Sequence, residues 1–107
     1  MIQLTAEQIK EKLESKETFI LDFYADWCGP CKMLMKNIEM AENAIKEGNI
    51  KLAPIYKYDV ESDRDFTTQM GIRGVPTLKL FKEGVEIKST TGLIAPAQFI
   101  QLNEEVI

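Results

Sequence analysis

Strand-like and helix-like periodicities alternate along this chain. The alternation breaks once, where two β-patterned runs, Thr77–Lys82 and Val85–Thr90, are separated only by Glu83-Gly84. A helix between consecutive strands implies parallel pairing through a right-handed crossover, whereas a two-residue connection is the length of a tight antiparallel hairpin. An α/β fold is therefore expected, with a central mixed sheet flanked by helices on both faces.

Caps and spacing place the individual elements. Thr5-Ala6-Glu7-Gln8 has the form of a capping box, and Leu4, Ile9 and Leu13 supply the apolar face of a first helix running to about Ser15. Met1 to Leu4 has room for a short strand before it. A strand follows at Thr18–Tyr24, and then the longest helix, in which Leu34, Ile38, Ala41 and Ile45 recur at spacings of four, three and four before Gly48 ends it. Met33, Met35 and Met40 lie beside or opposite that stripe, and ordinary packing of a helix covered on more than one side is preferred to a Met-rich recognition surface. Within the strand-like stretch Ile50–Val60, Pro54 has no N–H to donate, so the regular ladder starts at or after Ile55 or has a free edge there. Ser62-Asp63-Arg64-Asp65 signals a short helix reaching Met70, Gly71 and Gly74 bracket a loop, and a last helix runs from about Pro96 to Glu104. No internal repeat, low-complexity tract or linker interrupts this order, and residues 1–107 read as a single domain.

The only two cysteines stand in Trp27-Cys28-Gly29-Pro30-Cys31, where the Thr18–Tyr24 strand gives way to the long helix. A cysteine at a helix N-terminus meets unpaired N–H groups and the positive end of the helix dipole, which stabilise the thiolate, the species that attacks disulfides. Cys28 is thus the expected nucleophile. Cys31, one turn further in, is the expected resolving thiol, more buried yet close enough to attack a mixed disulfide formed by Cys28. Three plainer readings compete. A structural disulfide would close so short a loop that it contributes little chain entropy. A zinc site needs four Cys or His ligands, and the chain has two cysteines and no histidine, so no metal is expected. Two inert buried thiols fit poorly with turn-forming neighbours that would lift the first toward solvent. Redox activity is preferred to all three.

A chain of 107 residues is long enough to build a core without disulfide staples, which leaves the cysteines free to react. Its net charge of −4 and the lack of any basic run argue against nucleic acid as a partner. No apolar run approaches the roughly 20 residues that a membrane-spanning helix requires. The N-terminus shows no basic, apolar and cleavable sequence of the export type, so a reducing cytoplasm is the expected location.

The chain resembles the thioredoxin family. The likeness rests on WCGPC after a strand, on Gly74-Val75-Pro76-Thr77 before the hairpin, on Asp22, and on Gly84 and Gly92, and it runs from about Leu4 to Leu102. It implies the thioredoxin fold and a protein-disulfide reductase that needs no bound cofactor. In that family a cis proline faces the two sulfurs, and Pro76 occupies its place; a trans proline opening a strand is the base-rate alternative. A cis bond would set the Val75 backbone beside Cys28, ready to hold an extended substrate segment by strand addition. Asp22 must be either solvated or buried at a cost, and the resemblance implies a buried proton relay for the resolving thiol. Lys57 is similar to the lysine that neighbours this aspartate, with an ordinary surface lysine as the alternative. Trp27, Gly29, Pro30, Val75, Gly92 and Leu93 would form a weakly polar docking collar around Cys28, unless Trp27 lies in the core.

Gly-Pro between the cysteines marks the reducing members of the family. A monomer is expected, and the resemblance implies that it is recharged by a flavin-containing thioredoxin reductase. Its expected clients are ribonucleotide reductase, peroxiredoxins and methionine sulfoxide reductases. Three departures stand out: Lys36 replaces a proline that often kinks the long helix, Ala95 replaces a capping Ser or Thr, and Pro54 follows a lengthened connection. A scaffold protein using the same fold, with an incidental cysteine pair, is the rival from another class.

Overall fold

The computed structural model describes all of residues 1–107 and centres on β2 (Phe19–Tyr24), whose six residues are all buried. The nine elements run β1 (Ile2–Gln3), α1 (Ala6–Glu14), β2, α2 (Gly29–Glu47), β3 (Ile55–Asp59), α3 (Arg64–Gln69), β4 (Thr77–Lys82), β5 (Val85–Thr91) and α4 (Pro96–Val106). The five strands lie in the order β1-β3-β2-β4-β5. β1 and β2 both pair in parallel with β3, while β4 is antiparallel to β2 and to β5. This is the mixed sheet implied by helical crossovers early in the chain and a hairpin late in it.

Strand alternation splits the core into two layers. On one face Ile20, Leu78 and Leu80 meet Leu34, Ile38, Ala41 and Ile45 of α2 and Phe99 and Val106 of α4. On the other, Phe19, Leu21, Phe23, Tyr58 and Phe81 pack against Ile9 of α1 and Phe66 of α3. Covered on both sides, β2 has no solvent face, so its sequence is apolar nearly throughout and its one carboxylate is forced inside.

Local chemistry fixes the ends of the elements. Thr5 Oγ1 accepts the Gln8 N–H at 3.2 Å and Gln8 Oε1 accepts the Thr5 N–H at 2.8 Å, the reciprocal box that starts α1. Asp63 caps α3 by accepting the Phe66 N–H. Glu83 and Gly84 both take positive φ, 51° and 79°, as a two-residue hairpin turn of this hand requires. Gly84 is doubly constrained, because a Cβ there would stand 2.5 Å from the Leu13 carbonyl oxygen. α2 runs unbroken across Lys36. At the Ala95 cap of α4 no side-chain oxygen is present, and Gln98 supplies half of a capping box by accepting the Ala95 N–H at 2.8 Å.

Two features depart from expectation, and a third was not foreseen. Met33 and Met40 are exposed and only Met35 is half-buried, because α2 is covered on its sheet and α4 sides alone. β5 extends to Thr91 and carries a register shift opposite Leu80 and Phe81. Lys79 and Asn103 are buried, the first through two 2.9 Å contacts to Glu86 and the second by hydrogen bonds to Lys51 and Ala53. No helix is long and apolar enough to cross a membrane.

Candidate active site

β2 leaves the sheet at Tyr24 and α2 begins at Gly29, so Cys28 falls on the N-cap of the longest helix. Its backbone is extended, its N–H donates to the Ala25 carbonyl at 3.1 Å, and its Sγ accepts the Cys31 N–H at 3.1 Å. A sulfur in this position takes the place that a Ser or Asp oxygen holds in an ordinary cap, and the same N–H and helix dipole favour negative charge on it once reduced. The two cysteines are joined as a disulfide, with Cα atoms 5.3 Å apart.

Cys28 is 4% exposed and Cys31 1%, so the order of burial is the expected one but the first sulfur is far less open than its turn-forming neighbours imply. The reason is packing: Tyr24, Ala25 and the two cysteines form a small cluster covered further by Met35, Val60 and Val75. Trp27, by contrast, is 69% exposed, which removes the core alternative for it. Gly29 and Pro30 are exposed beside it.

Val75–Pro76 is a cis peptide bond, not the trans alternative. Pro76 is buried, Val75 packs on the cysteine cluster, and the Pro76 carbonyl accepts the Gly92 N–H at 2.8 Å. That bond ties the loop carrying exposed Leu93 to the segment carrying Val75, with Gly92 at φ 104° making the turn. Thr77 reinforces the junction by donating from Oγ1 to the Gly74 carbonyl at 2.6 Å. Cys28, Val75, Pro76 and Gly92 are thus gathered at one end of the sheet, although they span much of the sequence.

Asp22 is completely buried, and neither carboxylate oxygen has a hydrogen-bond partner. Burial pushes its pKa up to about 7, and the positive charge of Lys57 pulls the other way without cancelling the rise. Lys57 is directly opposite in the β2–β3 register, half-buried, with its Nζ 5.2 Å from the centre of the Tyr24 ring. A cavity of about 210 Å³ opens here, lined by Tyr24, Ala25, Asp26, Cys31, Lys32, Met35 and Lys57. Cys31, the inner cysteine, is part of its lining. Tyr24, Met35 and Val60 were not among the expected site residues. Tyr24 shares strand parity with Asp22, which was a usable signal, while the other two depend on how α2 and the β3–α3 connection fold over the disulfide.

The family model described as Thioredoxin matches residues 1–104. The chain belongs to the thioredoxin family. A thioredoxin from Rickettsia felis is 38% identical over 84 residues, covering 78% of this chain and 76% of that one. Thioredoxin-1 of Saccharomyces cerevisiae is 34% identical over 88 residues, covering 82% and 81%. Among solved structures, a single-site mutant of a thioredoxin from Halobacterium salinarum superposes with a TM-score of 0.77 at 30% identity, covering 98% of this chain and 87% of that one. Thioredoxins are disulfide oxidoreductases, and with its cysteines at bonding distance this thioredoxin carries out thiol–disulfide exchange. Members of the family act on disulfide substrates and are reduced by thioredoxin reductase.

Proposed function

We propose that this thioredoxin works in the reducing direction, with Cys28 as nucleophile, Cys31 as resolving thiol and Asp22 as proton acceptor. The observations that support the reading are Cys28 on the helix N-cap, the more buried Cys31 one turn further in, and an unpartnered, fully buried carboxylate on β2, two residues before the Tyr24 that packs in the cysteine cluster. In the reduced protein the Cys28 thiolate attacks one sulfur of a substrate disulfide, and the other substrate sulfur leaves as a thiolate that takes a proton from water. Cys31 then passes its proton to Asp22, directly or through water in the adjoining cavity, and its thiolate attacks Cys28 Sγ. The mixed disulfide breaks, the second substrate sulfur leaves and is protonated, and two electrons have moved to the substrate. The Cys28–Cys31 disulfide is the end state.

An Asp22 pKa of about 7 suits a group that must gain and lose a proton near neutrality. Gly29-Pro30 adds no cation to stabilise the Cys28 thiolate further, which favours a reducing pair. Val75, packed on the cysteine cluster, and the exposed surface of Trp27, Gly29, Pro30 and Leu93 would offer main-chain and apolar contacts to an extended substrate segment, with little demand on its sequence. The setting we propose is the cytoplasm, with a flavin-containing thioredoxin reductase drawing on NADPH. The proposed clients are ribonucleotide reductase, peroxiredoxins and methionine sulfoxide reductases. Dithiothreitol-driven insulin reduction tests the direction. The wild-type chain should accelerate it and Cys28→Ser should not, and equal rates from both would defeat the reading.

A further inference from the structure

Lys57 presents a problem that the exchange mechanism leaves open. Its ammonium is the positive charge that acts on a fully buried carboxylate, yet the two form no ion pair, and both Asp22 oxygens remain without a partner. A lysine beside a buried carboxylate ordinarily closes on it, since attraction is strongest where water is excluded. Something holds the ammonium elsewhere.

The holder is visible in the sheet register. Gln3, Lys57 and Asp22 face one another across β1, β3 and β2 and so share one face of the sheet. Tyr24, two residues beyond Asp22 on the same face, leans back across this row. Its ring lies 5.2 Å from Lys57 Nζ, within cation–π range, and its hydroxyl donates to Gln3 Oε1 at 2.8 Å. The tyrosine is nearly buried, and burial, with Asp59, Asp26 and Asp22 after it, raises its pKa, so the phenol stays protonated and keeps its bond to Gln3. An aromatic face attracts a cation without accepting a proton from it or competing for the proton of Cys31.

We propose that Tyr24, tethered by Gln3, is a positioning residue for Lys57, holding its ammonium beside the Asp22 carboxylate but off it, so that Asp22 is left free to take the Cys31 proton. The inference rests on the proton-relay role assigned to Asp22 above, but the placement of Lys57 is testable without it. The charged and titratable groups around the row are Asp22, Asp26, Lys32, Lys57, Asp59 and Cys31. Of these, Lys57 is the one whose charge lies over the Tyr24 ring.

The test is a carbon-13 NMR titration of the Asp22 carboxyl in the oxidised protein, comparing wild type, Tyr24→Leu, Gln3→Leu and Lys57→Met. Freed from the ring, Lys57 should close on Asp22, so Tyr24→Leu should lower the titration midpoint and weaken proton binding about tenfold. Gln3→Leu, at an exposed edge position, removes only the tether and should move the midpoint the same way by less. It also serves if Tyr24→Leu does not fold. In the Lys57→Met background Tyr24→Leu should have no further effect. An unmoved midpoint in the variants that fold, an upward shift, or a shift that persists without Lys57 would overturn the proposal; the last would mean that the ring acts by excluding water. In the reduced protein, stopped-flow resolution of a Cys28 mixed disulfide should show its pH profile displaced with the Asp22 midpoint. If Asp22→Asn leaves that rate unchanged, the relay reading fails, while the titration still decides the role of Tyr24.

Discussion

Replacing Asp22 by Asn should stabilise the oxidised protein, and the gain should grow with pH in a way that identifies its cause. Burial raises Asp22 from 3.8 to about 7, so the folded state holds a proton that the unfolded chain has already released. For a carboxyl raised in this direction, native stability is fully present below the unfolded pKa and is lost as pH climbs through the folded one. Between about pH 4 and pH 7 the wild type therefore loses about 1.4 kcal/mol per pH unit to this single group. The loss totals about 4 kcal/mol by pH 8, reduced to the extent that water follows the ion inward. A neutral carboxyl and an amide are nearly isosteric and would both lack partners in this site, so at pH 4 the two proteins should agree within about 1 kcal/mol. Urea denaturation of the disulfide-bonded forms from pH 4 to pH 8.5 measures the difference with the cysteines unable to titrate. A difference that is constant across this range, or a wild type that is the more stable at pH 8, would refute the reasoning.

Gly84→Ala should destabilise by about 3 kcal/mol, since it combines a left-handed backbone with a Cβ 2.5 Å from the Leu13 carbonyl. Gly71→Ala, at a similar φ of 71° but facing open space, should cost about 1 kcal/mol, and equal losses in urea titrations would contradict the close-approach argument. Asn103→Ala should cost about 2–4 kcal/mol, because the buried amide accepts the Ala53 N–H at 2.8 Å and donates to the Lys51 carbonyl at 2.9 Å. Hydrogen exchange at Ala53 should accelerate in that variant, and an unchanged rate would show that water replaces the side chain at no cost.

Much of the architecture was legible because the local signals agree with the global fold. The Thr5–Gln8 box, the helical spacing of Leu34, Ile38, Ala41 and Ile45, the start of β3 just after Pro54, and the Glu83-Gly84 turn are each determined within a few residues. Asp22 stood out because a carboxylate in an apolar strand has few explanations. Long-range contacts were less accessible. Lys79 alternates with Leu78 and Leu80 as a solvent-facing residue would, but this sheet is covered on both faces, and only the path of β5 supplies Glu86. Asn103 reads as one more polar residue on a terminal helix until the Lys51–Ala53 segment lies against it. The Tyr24–Gln3 bond joins residues 21 positions apart and depends on how β1 registers on β3. The low exposure of Cys28 likewise comes from Val60 and Val75, brought over the disulfide by the chain on either side of α3.

The division of labour between the cysteines is the centre of the account, and trapping measures it most directly. Reduced Cys31→Ser and Cys28→Ser proteins are incubated with a disulfide-containing protein, and covalent adducts are mapped by mass spectrometry. Cys31→Ser should accumulate a stable mixed disulfide through Cys28, and Cys28→Ser should accumulate none at a comparable rate. Faster capture through Cys31 would contradict the assignment of nucleophile and resolving thiol.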